Sequence, residues 1–256
     1  MIRFILGDIF ELKTMRSSIF KDHHYRRNKE VLMKKSPTDF IDFSEIGSDD
    51  RFEKFAEHFL EDMGFNIDRP PAFGPDRKRD LFVSEPVRFS KRGFRWLVSC
   101  KYYSERIGQG DDEANANKLV EHDCDGFMFI YSHEPTNSLM DSIESVCRRL
   151  DKPYKFFTGW DIEKALLSYS DHTKTFRHHF PHSFNTLSQL KDCPQCECKS
   201  HTNGEGEPLY LLSLQRNQTD FPEYRTICHE CIYDIHESLD EQYYRWTTCV
   251  LVKEFW

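Results

Sequence analysis

The sequence predicts an α/β fold, a mixed sheet flanked by helices and followed by a small metal-stapled β-rich module. Three observations predict it. Apolar segments of helical and strand period alternate from Asp49 to about Tyr169, which builds a layered sheet. Two short apolar strands, Asp80 to Ser84 and Gly93 to Tyr102, follow one another across a basic connection holding Arg88, Lys91 and Arg92, as in a hairpin. Beyond Leu190 the alternation stops and paired cysteines begin.

Each element has a local cause. Asp49-Asp50 opens a helix in which Phe52, Phe55, Ala56, Phe59, Leu60 and Met63 recur at three- and four-residue spacing until Gly64 stops it. Phe65-Asn66-Ile67 reads as a short strand. The Pro- and Gly-bearing stretch Pro70 to Pro75 is a turn before the hairpin. A helix with a polar outer face is expected over Asp111 to Asp123, a buried strand over Gly126 to Ser132, a helix over Asn137 to Leu150, a strand over Tyr154 to Phe157 and an acid-capped helix over Asp161 to Tyr169. Lys13 to Lys35, with His23, His24, Arg26 and Arg27, is polar and basic without clean periodicity, and reads as a loosely packed arm or a short helix with a solvated face. The expected organisation is an extension (1–48), an α/β domain (49–185) and a small module (186–256).

Composition bounds the function. A chain of 256 residues can bury a sound core. A formal charge of -8 excludes coating of nucleic acid by the whole surface and confines any polynucleotide site to a patch. The start, Met1 to Asp8, is apolar for too few residues to be a signal peptide or membrane span. With CxxC spacing among its nine cysteines, the chain reads as intracellular, cytoplasmic and soluble, its thiols reduced and available to metal.

The hairpin carries the first candidate site. An acid opening one strand, Asp80, and an amine closing the next, Lys101, can hold a divalent cation and a water beside a phosphate. The backbone carbonyl of Cys100 adds a hard oxygen of the kind magnesium takes. Strand alternation puts Ser99 and Lys101 on one face and the Cys100 side chain on the other, in the core. Glu53, on the first helix, is a further acid, and the basic run Arg77-Lys78-Arg79 lies where a phosphate would approach.

These residues carry a resemblance. Phe52-Glu53-Lys54-Phe55 through Met63-Gly64-Phe65, Arg79-Asp80-Leu81-Phe82-Val83, Leu97 to Tyr103 and Cys124 to Ser132 resemble the Mrr-like branch of the PD-(D/E)XK restriction-endonuclease superfamily, over roughly 49–184. The resemblance implies a magnesium- or manganese-dependent DNA endonuclease, serving prokaryotic defence and cutting as a homodimer. It further implies that Glu53, Asp80 and Lys101 form the catalytic set, with Asp80 on the cation and Lys101 assisting the water. One departure matters: where the family has Glu or Gln two residues before the lysine, this chain has Ser99, short and neutral. Either Glu53 supplies the second carboxylate, or the site is impaired and the fold serves as an adaptor for DNA or a partner protein.

The second candidate site is Cys193-Pro194-Gln195-Cys196 with Cys228-His229-Glu230-Cys231. Two CxxC pairs some thirty residues apart offer four thiolates, which suits a tetrahedral structural zinc. Cys198, His201 and His229 stand close enough to replace one of the four. Pro208 to Leu214 between the pairs is strand-like, and the segment resembles a zinc ribbon. Its acidic surroundings, Glu230, Asp234, Glu237, Asp240 and Glu241, suit a structural or protein-contact role better than phosphate contact. His178, His179 and His182 lack a carboxylate partner at helical spacing and read as packing or loop-edge residues.

Overall fold

A computed structural model of the chain describes residues 40–71, 81–87, 92–187, 209–217 and 223–251. Helix α1 (Asp49–Asp62) starts where Ser48 accepts a hydrogen bond from the Arg51 amide, with Asp49 and Asp50 favourably placed against the helix dipole. It ends as the Met63-Gly64 pattern predicts. Gly64 has a φ of +87°, a region L side chains avoid, and the Phe65 amide reaches back to the Leu60 carbonyl. Phe52, Phe55, Ala56, Phe59 and Leu60 form its buried stripe.

Five strands follow: β1 (Asn66–Arg69), β2 (Leu81–Ser84), β3 (Arg95–Lys101), β4 (Gly126–Tyr131) and β5 (Tyr154–Phe157), in the spatial order β1-β2-β3-β4-β5. The first three run antiparallel and β3, β4 and β5 parallel, so the sheet is mixed, as expected. Parallel neighbours require crossovers, and helices α2 (Ala116–Glu121) and α3 (Asn137–Leu150) provide them. One face of the sheet, Phe82, Leu97, Phe127, Phe129 and Tyr131, packs against Leu119 of α2 and Leu139, Ile143 and Cys147 of α3. The other face carries α1, whose Phe59 meets Phe157 and whose Phe52 meets Tyr102.

Helix α2 is shorter than the expected 111–123. Asp111 is taken into a turn, accepting from the Gly108 amide at 2.6 Å, and Asn115 caps the helix by accepting from the Asn117 and Lys118 amides. Helix α4 (Gly159–Ser168) begins where the Asp161 carboxylate takes both the Thr158 amide and hydroxyl. Its first residue has to be glycine, since a Cβ there would stand 2.3 Å from the Ser132 carbonyl. Helices α5 (Thr173–His179) and α6 (Pro181–Thr186) occupy the stretch read as loop edge, and α5 packs on α1. Residues 40–46 are tied down with them. Buried Glu163 of α4 accepts the Phe40 and Ile41 amides, and Glu45 accepts the His182 and Ser183 amides at the start of α6.

A second sheet holds β6 (Leu209–Gln215), β7 (Glu223–Cys228) and β8 (Arg245–Leu251), antiparallel in the order β7-β6-β8, with helix α7 (His229–Gln242) between β7 and β8. Its β6 and β8 touch α4, whose other neighbours include β5. The three strands lie in the stretch expected to be β-rich, joined there by a 14-residue helix that the ribbon reading did not anticipate. No described helix is long and apolar enough to cross a membrane.

Candidate active site

The strand pairing settles which face the hairpin residues use. Ser99 pairs with Phe129 and Lys101 with Tyr131, and residues paired across neighbouring strands leave the sheet on the same side. Ser99 and Lys101 thus share the α3 face with Leu97 and Tyr131, as alternation predicts, while Cys100 belongs to the α1 face. Asp80 and the run Arg77-Lys78-Arg79 lie outside the described residues, although β2 begins immediately after Asp80, with Leu81 opposite Val98.

Glu53 comes from the other side. It is half-buried on α1, one helical turn beyond Asp49, so the two carboxylates share a flank of that helix. Since α1 lies across the face opposite Lys101, Glu53 reaches the lysine's side only around the end of β3.

What gathers at that end was not anticipated. Tyr131, fully buried, donates its hydroxyl to Asp112 Oδ2 at 2.8 Å, and burial followed by the Asp112 charge pushes its phenol pKa up. Tyr103, two residues past Lys101, has its phenol pKa raised by burial and then by Asp111, Asp49 and Asp112. Its backbone is clamped: the Tyr103 amide donates to Ser132 Oγ at 2.9 Å and Ser132 Oγ donates to the Tyr103 carbonyl at 3.0 Å. Ile107, buried, runs beside Pro135 and exchanges hydrogen bonds with Glu134 and Thr136, which holds the 107–112 segment over Tyr131. The sequence did show Asp111 and Asp112, but as the start of a helix. What hid their placement is the turn at Gly108.

The carboxylates of Asp49, Asp111 and Asp112 are near enough to the Tyr103 phenol to act on it, so this end of β3 is acidic. Among the described residues no three of them converge on one point.

The cysteine site is half visible. Cys193, Cys196, Cys198 and His201 lie outside the described residues. Cys228 ends β7 and caps α7, accepting the Cys231 amide at 3.3 Å, so both sulfurs sit in the first helical turn, buried among Leu212, Leu214, Ile227, Ile235 and Leu239. The second CxxC is thus a strand-to-helix junction rather than a turn of a ribbon.

His58 and His179 pack against each other, His58 Nδ1 lying 2.9 Å from His179 Nε2. Burial lowers both pKa values, that of His179 to about 4. They are neutral packing groups between α1 and α5, in keeping with the packing role expected of His179.

Residues 47–146 match a protein-family model described as restriction endonuclease. Over that span the chain is restriction-endonuclease-like. The match takes in the candidate residues Glu53, Asp80, Ser99 and Lys101, and also Tyr103, Asp112 and Tyr131. Among solved structures the chain is similar to the DNA modification-dependent restriction endonuclease AspBHI, at 12% identity and a TM-score of 0.35, over 64% of this chain and 41% of that one. The chain thus aligns with less than half the length of that structure. Comparison with curated proteins gives no match.

Proposed function

We propose that this chain is a magnesium-dependent endonuclease that hydrolyses phosphodiester bonds of DNA in a restriction-like defence role. The observation that supports it most is the joint placement of Ser99 and Lys101 on one face at the end of β3, inside the segment matching the restriction endonuclease model. Asp80 and Glu53 would hold the cation, with manganese as an alternative, and when bound it supplies charge neutralisation at the scissile phosphate. Lys101 orients the attacking water. Its ammonium carries three donors for that water and the phosphate. Ser99 accepts or donates a hydrogen bond to that water but adds no charge. Arg77, Lys78 and Arg79 meet the DNA backbone, consistent with the confinement of phosphate contacts that a charge of -8 demands. The family likeness also supports a homodimer, one active site for each strand of the duplex.

The C-terminal module, in this reading, is built around a structural zinc held by Cys193, Cys196, Cys228 and Cys231. The buried Cys228 sulfur, accepting the Cys231 amide at the start of α7, suits a thiolate site. Helix α7 carries Asp234, Glu237, Asp240 and Glu241, so the module suits a protein contact rather than DNA.

Ser99 favours a second reading, a nuclease fold that has lost cutting and binds DNA or a partner as an adaptor. Plasmid incubated with the protein and magnesium or manganese separates the two. The endonuclease reading expects cleavage that falls about 10²- to 10⁴-fold in Lys101→Ala and is lost in Asp80→Ala, at unchanged thermal stability. Wild type cutting no better than either variant with every metal tried sinks it in favour of the adaptor.

A further inference from the structure

Six large hydrophobic side chains are exposed among the described residues, Val87, Tyr103, Val120, Leu150, Tyr233 and Tyr244, and a lone exposed residue needs no explanation. Tyr103 differs from the others by its position and by how it is held. It leaves β3 two residues after Lys101, with 37% of its surface open. Its neighbour Tyr102 packs inward on Phe52, with ring centroids 5.9 Å apart, so the two tyrosines part company at the strand end. The reciprocal hydrogen bonds with fully buried Ser132 fix the Tyr103 backbone on both sides, which leaves little freedom to lose when the ring meets a ligand.

The charges around the ring select that ligand. The phenol hydrogen-bonds Asp111, and the charges of Asp49 and Asp112 also act on it, so the surroundings are acidic and disfavour a phosphate. Of the parts of a polynucleotide, an uncharged base with its π face is the one an aromatic ring in acidic surroundings can take. We infer that Tyr103 is a stacking platform for a nucleobase beside the scissile phosphate, a contact that reads or positions the base while Lys101 serves the phosphate. This rests on the nuclease reading above.

Binding, not cutting, tests it. In a Lys101→Ala background, the full chain is titrated against a short fluorescein-labelled DNA duplex with an unpaired overhanging base and against the same duplex carrying 2-aminopurine at that base, whose fluorescence reports stacking. Tyr103→Ala is expected to weaken binding roughly 5- to 150-fold and to remove the quenching of 2-aminopurine, while Tyr103→Phe keeps both within about twofold. Equal affinity and equal quenching in Tyr103→Ala, at unchanged thermal stability, overturn the assignment. Should the Lys101→Ala protein with Tyr103 intact hold no duplex at all, DNA recognition itself fails and the platform falls with it. A loss confined to thermal stability in Tyr103→Ala also overturns it, because a ring that serves only packing moves stability and leaves the quenching untouched.

Discussion

The large sheet is packed on both faces, by α1 with five buried residues on one side and by α2 and α3 with Leu119, Leu139, Ile143 and Cys147 on the other. The three-stranded sheet gathers a cluster of seven buried residues, Leu212, Leu214, Ile227, Cys228, Cys231, Ile235 and Leu239, of which two are cysteines in the first turn of α7. A core of the first kind holds itself together by buried apolar area. One of the second kind, among the described residues, has two sulfurs in its core, where a bound metal would add to the stability that apolar area supplies. Chelation should therefore separate the two regions.

If zinc holds the small sheet, its removal carries the largest effect to be expected anywhere in the molecule, since a structural zinc contributes on the order of 10 kcal/mol to folding. Metal analysis should find close to one zinc per chain. A strong chelator, or Cys228→Ser, should raise hydrogen exchange throughout β6, β7 and α7 while α1 and β2 to β4 keep their protection. Unchanged protection of β7 and α7 in the metal-free protein refutes the staple.

In the large sheet the sharpest loss should come from the interior of α1. Phe59 is wholly buried, with ring contacts to Phe55 and Phe157 and a stacked His172 at 5.1 Å. Phe59→Ala should cost about 3–5 kcal/mol, read from the urea midpoint, and zinc should not restore it. A loss below about 1 kcal/mol would mean that this core relaxes far more than its packing implies.

How far the sequence could be read follows the same division. Helix α1 was legible to within a residue because a polar cap, five apolar positions at helical spacing and a stop glycine all agree. Strands β2 to β5 were legible from short apolar runs between turn residues. The 111–123 helix was overdrawn because acids favour helix starts and turns alike, and only the Gly108 hydrogen bond shows which use Asp111 has. Helix α5, the strands β7 and β8 and α7 were not read at all, although Cys231, Ile235 and Leu239 recur at four-residue spacing on α7. Of the site, Lys101 and Ser99 were legible from alternation. Asp112 beside Tyr131 and the clamp of Ser132 on Tyr103 were not, because they join residues far apart in the chain.

The polar rim of the large sheet offers a smaller test than its core. Tyr131→Phe keeps the ring against Phe129 and Phe156 and removes only the hydroxyl that meets half-buried Asp112. About 1–2 kcal/mol should be lost, a charge-assisted hydrogen bond. A change of several kcal/mol would mean that the 107–112 segment is held by this bond more than by Ile107.

The smallest effect depends on pH and lies between α1 and α5. His179 has its pKa lowered to about 4 by burial first and then by His178, His58 and Lys54, with Asp62 opposing, and His58 is lowered by burial with Lys54 and His178 against Glu57 and Glu61. In the unfolded chain a histidine takes up its proton near pH 6.5. Between about pH 6.5 and 4 the unfolded state therefore binds more protons than the native one, and stability must fall as the pH falls through that window and level off above it. Allowing for the partial exposure of His179, the loss should be about 1 kcal/mol. Urea midpoints of wild type and His179→Gln should converge as the pH drops from 7 to 4, because the glutamine has no proton to bind. Parallel curves across that range would show that the native fold accepts the proton at the α1–α5 contact without cost, and that the pair at 2.9 Å opens to water well before the sheet does.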